Sequence, residues 1–124
     1  YAGDIPTYAT SAIHESVLNE PDLNGVVFPD TPWVLLENKT NIELKQSLET
    51  HWPQRTSPPW VRFYGFGFDA YRLVPLLYEE TVELSSVDTL SGKLSMGEDK
   101  RIRRGLPFAQ FRNGRPFSMS SPTP

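Results

Sequence analysis

Cysteine is absent from the 124 residues. That excludes disulfides, thiolate nucleophiles and cysteine-based zinc sites. Histidine is nearly absent. His14 and His51 are the only two, 37 residues apart, with no metal-ligand spacing, so a surface or capping role is expected for both. No apolar run approaches the roughly 20 residues that span a bilayer, no signal peptide is visible, and no internal repeat occurs. There is no G-x-S-x-G, H-E-x-x-H or P-loop pattern. No catalytic residue, metal or cofactor is therefore assigned, and the expectation is a non-catalytic binding or scaffolding piece rather than an enzyme. The first residue is Tyr1 rather than Met, so upstream sequence, with any targeting signal, is expected in the parent protein.

The residues that are present describe a folded domain. Hydrophobic residues make up 38% and aromatics 12%, too apolar for a disordered chain. A chain of this length buries roughly two thirds of its unfolded surface. One domain over residues 1–119 is expected, with a flexible tail at 120–124. The twelve prolines read as loop signals, because proline lacks a backbone donor and restricts the residue before it.

Short apolar runs at 5–10 and 25–28 suit strands, the second one buried on both faces as in a parallel sheet. Residues 40–52 predict a helix with a Thr40–Glu43 capping box and a Leu44, Leu48, Trp52 stripe, ended by Pro53. Residues 53–59 read as a proline-rich loop. Residues 60–84 predict a helix so apolar all round that it should be buried, kinked at Pro75, with Glu79, Glu80 and Glu83 at its solvated end. A short strand is expected around Gly92. At the end, 107–112 and 116–119 predict a hairpin joined at Asn113-Gly114, a pair suited to two positive-φ turn positions.

The string GFGFDA at 65–70 formally matches a dinucleotide-binding fingerprint. Two phenylalanines crowd it, and more than half the chain precedes a motif that normally opens its domain. Close packing of a helix through its glycines explains it better.

Charge is uneven. Residues 1–92 carry 5 bases and 13 acids, and residues 93–124 carry 7 bases and 2 acids. The basic end contains Arg101, Arg103, Arg104, Arg112 and Arg115, a candidate contact patch whose default role is a solvated face. The acidic overall pI of about 5.3 favours an acidic protein partner or an anionic surface over nucleic acid.

Three blocks, in order, carry a resemblance: IPTYATS at 5–11, DLNGVVFPDTPW at 22–33, and RFYGFGFDAY at 62–71, the last followed by LSGKL at 90–94 and FAQFRNG at 108–114. Together they resemble the C-terminal part of the LppC/LpoA lipoprotein family, activators of class A penicillin-binding proteins. The resemblance implies an α/β fold: part of a type I periplasmic-binding-protein-like domain, with short, mainly parallel strands, packed helices and a C-terminal β-hairpin. It implies a periplasmic location, outer-membrane anchoring through an N-terminal lipid that this chain lacks, a class A penicillin-binding protein as partner, and no catalysis. Much of the first lobe is absent, so exposed sheet edges are expected to favour self-association. In that fold a strand ending at Tyr8, Thr10 and Ser11 would lie near the ligand cleft. Those three residues are therefore the candidate site for a small polar ligand, against a plain capping role.

Overall fold

The computed structural model describes residues 5–15, 21–55, 58–78 and 87–119. Two 3-10 turns, Ser11–Glu15 and Pro21–Leu23, precede β1 (Val27–Pro29), α1 (Pro32–Leu35) and α2 (Lys39–His51). A further 3-10 turn at Pro53–Arg55 leads to α3 (Pro58–Tyr78). Then come β2 (Val87–Thr89), β3 (Gly92–Met96), β4 (Ile102–Gly105), β5 (Phe108–Arg112) and β6 (Arg115–Ser118). The chain falls into two compact units, Tyr1–Asp30 with Pro107–Pro124, and Thr31–Leu106.

The first unit is built on an antiparallel sheet in the order β1-β5-β6. Asn113 and Gly114 take φ of 50° and 72°, so the tight β5–β6 turn forms as their small, turn-tolerant side chains allow. Phe28 and Phe111 are fully buried, with stacked rings 4.8 Å apart. His14 packs on both rings, and its Nδ1 lies 2.9 Å from Oδ2 of the buried Asp30. This histidine is half-buried against the core rather than the surface group expected.

The strand expected at 5–10 is a single rung. Tyr8 makes a parallel bridge to Val27, in which the Ala9 N–H donates to the Val27 carbonyl and the Val27 N–H to the Thr7 carbonyl, both at 2.9 Å. That rung is the only parallel pairing among the described residues. Both sheets are antiparallel, which corrects the expectation of mainly parallel strands. The cause is local: β2, β3 and β4, and then β5 and β6, follow one another through short turns, and a parallel pair needs a crossover of about a dozen residues.

The second unit packs three helices with the antiparallel sheet β2-β3-β4. Trp33, Leu48 and Val61 form its main core, joined by Val34, Leu44, Tyr64 and Leu90. Leu73 and Leu94 form another, joined by Leu76, Val87 and Met96. In α2, Leu48 is buried and Leu44 packs beside it as the stripe predicts, whereas Trp52 is half exposed and stacks on Tyr64 at 5.7 Å. The cap differs from the Thr40–Glu43 box: α2 begins at Lys39, and Asn38 Oδ1 accepts the Asn41 N–H at 2.8 Å. Buried Asn41 donates in turn to the Leu36 carbonyl at 3.0 Å, closing the end of α1.

Pro58 and Pro59 open α3 instead of ending a loop. Proline suits a first helical turn, where the missing N–H has no intrahelical partner to lose. Leu90 is a turn residue joining β2 to β3 rather than part of a strand. The expected helix end at Glu79, Glu80 and Glu83 and the tail at 120–124 lie outside the described residues.

Candidate interaction surface

α3 buries Val61, Arg62, Gly65, Asp69 and Leu73 on one side and exposes a run of apolar residues on another. The Asp69 carboxylate reaches the β2–β3 turn, where its Oδ1 accepts the Leu90 N–H at 3.1 Å and its Oδ2 accepts the Ser91 N–H at 2.6 Å. Two turn donors that would otherwise need water are thus satisfied by one helical side chain. Trp33 completes the joint: its backbone N–H donates to the Leu90 carbonyl and its indole Nε1 to the Val61 carbonyl at 2.7 Å. A Cβ on Gly65 would lie 3.2 Å from the Trp33 ring, so glycine lets helix and indole meet. The stretch GFGFDA is therefore helix interior rather than a phosphate loop.

The outward side corrects the expectation of a buried helix. Trp60, Phe63, Gly67, Ala70, Tyr71, Val74, Leu77 and Tyr78 are all exposed. They span about 120° of the helix at 3.6 residues per turn, and none is charged. Phe63 is 67%, Tyr71 81% and Tyr78 85% exposed. A contiguous apolar face of this kind marks an interaction surface more often than a free one. Only one side of α3 meets α1 and the β2–β3 hairpin, so the rest of its apolar surface stays uncovered within the unit.

Beside this face a cleft of about 370 Å³ opens between α2 and α3. Trp33, Leu48, Trp52, Tyr64 and Phe68 line it, and Phe63 and Gly67 belong to both cleft and face. Lys45 lies 5.6 Å from the Trp33 ring. Burial pushes its ammonium pKa below the usual value, with Glu37 opposing that shift. An aromatic cleft flanked by exposed apolar side chains is the form a binding hot spot takes, with a pocket for an anchor and a surround that excludes water.

The candidate arginines are divided between the units. Arg101, Arg103 and Arg104 belong to the second, Arg112 and Arg115 to the first. Arg103 is engaged with Asp99 through two hydrogen bonds, at 3.1 and 2.8 Å. Arg104 stacks over Phe66 at 4.5 Å. Arg112 and Arg115 pair across the β5–β6 turn, and Arg112 lies over Phe117. Tyr8, Thr10 and Ser11 run from the parallel bridge into the first 3-10 turn, where the Thr10 carbonyl accepts the Ile13 N–H at 3.2 Å. Among the described residues no group of His, Asp or Glu is arranged to hold a metal ion, and no helix is long and apolar enough to cross a membrane. The α3 face escaped the sequence reading because apolar residues surround that helix; the one inward signal was the pair Arg62 and Asp69, seven residues apart on one side.

Comparison with known proteins gives a consistent family. The model for "LppC putative lipoprotein" matches residues 1–114. Full-length LpoA from Haemophilus influenzae is similar with a TM-score of 0.71 at 23% identity, over 94% of this chain and 22% of that one. The LpoA (YraM) C-domain from Haemophilus influenzae, described as a regulator of PBP1A, gives 0.68 at 21% identity, over 94% of this chain and 37% of that one. A putative branched-chain amino acid ABC transporter from Chromobacterium violaceum gives 0.56 at 30% identity, over 87% and 35%. The chain thus spans about a fifth of the length of full-length LpoA and over a third of the C-domain. Among curated proteins no sequence matches it.

Proposed function

We propose that this chain, which belongs to the LppC lipoprotein family, is a non-catalytic periplasmic module that binds a class A penicillin-binding protein and stimulates peptidoglycan synthesis. The family match over residues 1–114 carries this reading, and the LpoA C-domain's description as a regulator of PBP1A supports it. Activation needs no chemistry from the module: a protein that binds the active state of an enzyme more tightly shifts its population toward that state. The parent protein would be held at the outer membrane by its lipid.

The apolar face of α3 with its aromatic cleft is the contact surface of this reading. The five arginines Arg101, Arg103, Arg104, Arg112 and Arg115 are the electrostatic alternative. The test is a pull-down of purified class A penicillin-binding protein at low salt on this chain, on a Phe63→Glu/Tyr71→Glu double variant, and on a variant reversing Arg101, Arg112 and Arg115. Retention lost in the double variant supports the α3 face. Loss only in the charge-reversed variant moves the contact to the arginines. Absence of retention by the unaltered chain overturns binding through these residues.

A second reading is a lobe binding a small polar ligand at Tyr8, Thr10 and Ser11. The parallel Tyr8–Val27 rung favours it, because ligands of open α/β sheets sit beyond the carboxyl ends of parallel strands. A thermal-shift screen of amino acids and muropeptides tests it, since ligand binding raises stability by mass action. Shifts that a Thr10→Val change abolishes are the expected result, and a flat screen counts against this reading.

A further inference from the structure

β4 is an outer strand of the second unit's sheet, with β3 as its one neighbour among the described residues. The register shows which of its backbone groups are free. Thr89 and Gly92 face each other across the tight β2–β3 turn and so exchange both ladder hydrogen bonds. In an antiparallel ladder such pairs alternate with unbonded ones. On β3, Lys93 and Ser95 therefore bond toward β4, where their partners are Gly105 and Arg103. The N–H and C=O groups of Ile102 and Arg104 point away from the sheet, and among the described residues no backbone bond takes them up. Every residue of β4 is exposed. Unpaired edge groups of this kind are a template for another strand.

The two faces of this edge differ. On the helix side, Leu73 and Leu76 of α3 pack with Val87, Leu94 and Met96, so the helix rests on β2 and β3. Over β4 the space is open: a cavity of about 410 Å³ lies between α3 and the β3–β4 strands. Leu77 and Ile102, each 46% exposed, are among its walls. On the other face stand Arg103 and, across from Gly105, Lys93. A Cβ at Gly105 would lie 3.7 Å from Lys93 Cβ, and its absence leaves the way from Lys93 to the free edge open. Between Gly92 and Gly105 the chain carries five bases, Lys93, Lys100, Arg101, Arg103 and Arg104, against two acids, Glu98 and Asp99. Arg103 is paired with Asp99 and Arg104 lies over Phe66. Lys93 and Arg101 make no ion pair among the described residues, and Asp88 faces Lys93 from β2, on the side away from the free edge.

We propose that the free edge of β4 takes up an extended acidic segment of a partner protein as an added strand. Its acidic side chains lie over Lys93 and Arg101, and its alternate apolar side chains enter the cavity beside Leu77 and Ile102. In strand addition the main-chain bonds give affinity and pockets for alternate side chains give specificity, and successive side chains of a strand point to opposite faces. Charge selects the occupant. Pairing β4 with β4 of a second copy would set arginines against arginines, and like charges directly opposite are destabilising. Protection of an edge accounts for the bases alone, but not for an open apolar cavity under the helix on the same strand. This inference is independent of the proposed partner enzyme, and its test contains none.

The experiment titrates the isotope-labelled chain by NMR with a blocked heptapeptide alternating glutamate and valine, following the Ile102 and Arg104 amides. Parallel titrations use the same peptide N-methylated at every amide, which has no strand donors, a version with lysine for glutamate, and one with serine for valine. Saturable shifts largest at Ile102 and Arg104, with slower hydrogen exchange there, are expected for the first peptide. Each altered peptide should bind at least about tenfold more weakly, the effect of losing one or two net hydrogen bonds or their equivalent. A Lys93→Glu/Arg101→Glu double variant should weaken binding by a similar factor, while Arg112→Glu/Arg115→Glu in the other unit leaves it unchanged. The altered peptides test the edge without relying on any variant's folding. Absence of saturable shifts overturns the inference, as does equal binding of an altered peptide, undiminished binding by the first double variant, or shifts centred on Phe63 and Tyr71 of α3. Shifts of the Ile102 and Arg104 amides that follow chain concentration without peptide would give the edge to a second copy and overturn it as well.

Discussion

Gly65 and Trp33 define where α3 meets α1. A Cβ at Gly65 would sit 3.2 Å from Cδ1 of an indole that is itself buried and hydrogen-bonded to Val61. Gly67, two residues on, has nothing within 4 Å of the same position. Alanine is favoured over glycine in a helix interior by roughly 0.5–1 kcal/mol. Gly67→Ala should therefore raise stability by about that amount. Gly65→Ala should lose the gain and more, because the indole it would press on is held by its hydrogen bond to the Val61 carbonyl. Urea denaturation of both variants checks this, and equal stabilisation would show that the Gly65 contact is slack.

Asp69 is expected to be among the most sensitive polar positions of the second unit. Hydrogen bonds to a charged group contribute about 1.5–3 kcal/mol each way they are measured by deletion. Asn has one acceptor oxygen and an amide group that would face a backbone N–H. Asp69→Asn should therefore cost about 1–3 kcal/mol, and the Leu90 and Ser91 amides should exchange faster with solvent. Hydrogen exchange reads this directly. Unchanged protection of both amides would mean that the turn holds without the helix.

The parts of the fold legible in the sequence were those with local causes. Asn113-Gly114 specifies its hairpin because two adjacent residues tolerate positive φ, and Leu44 and Leu48 mark the inward side of α2 because their spacing matches the helical period. Strand direction was not legible: the apolar run ending at Phe28 has the same pattern whether its neighbours run parallel or antiparallel. The side α3 presents was hidden for a related reason. Trp60, Phe63, Tyr71 and Tyr78 read as core, yet the inward positions are taken by Gly65, Asp69 and Leu73, selected by Trp33 and the β2–β3 turn, which are distant in sequence. The division of the arginines was not legible either: Arg101, Arg103 and Arg104 belong to one unit and Arg112 and Arg115 to the other, which their order in the sequence does not mark.

The start of α2 offers a sharper distinction between pattern and structure. Asn38 Oδ1 accepts the Asn41 N–H, while Thr40 lies within the first turn. Loss of an N-cap side chain costs about 1 kcal/mol, within a range of roughly 0.5–2. Asn38→Ala should show that loss, and Thr40→Ala should leave stability nearly unchanged. Thermal melts of the two variants decide between the caps, and a larger loss for Thr40→Ala would restore the sequence-based box.

The turn between β3 and β4 should carry a pH signature below the ordinary carboxylate range. The Arg103 guanidinium, followed by the Arg101 backbone N–H, holds the Asp99 carboxyl below its usual 3.8, and Asp99 in turn raises Arg103. A carboxylate with a lowered folded-state pKa stabilises the fold above its unfolded value, and that contribution is lost as pH falls through the folded value. The loss should therefore appear below 3.8 and not near neutrality. Both groups are exposed, so screening by salt should shrink the effect. An NMR titration of the Asp99 carboxyl is the measurement. In the unaltered chain it should titrate below the usual range, and Arg103→Gln should move it back up toward 3.8. An Asp99 titration indifferent to that substitution would show that the paired geometry does not persist in solution and that the turn relies on Lys100, with its φ of 57°, and its N–H bond to the Gly97 carbonyl.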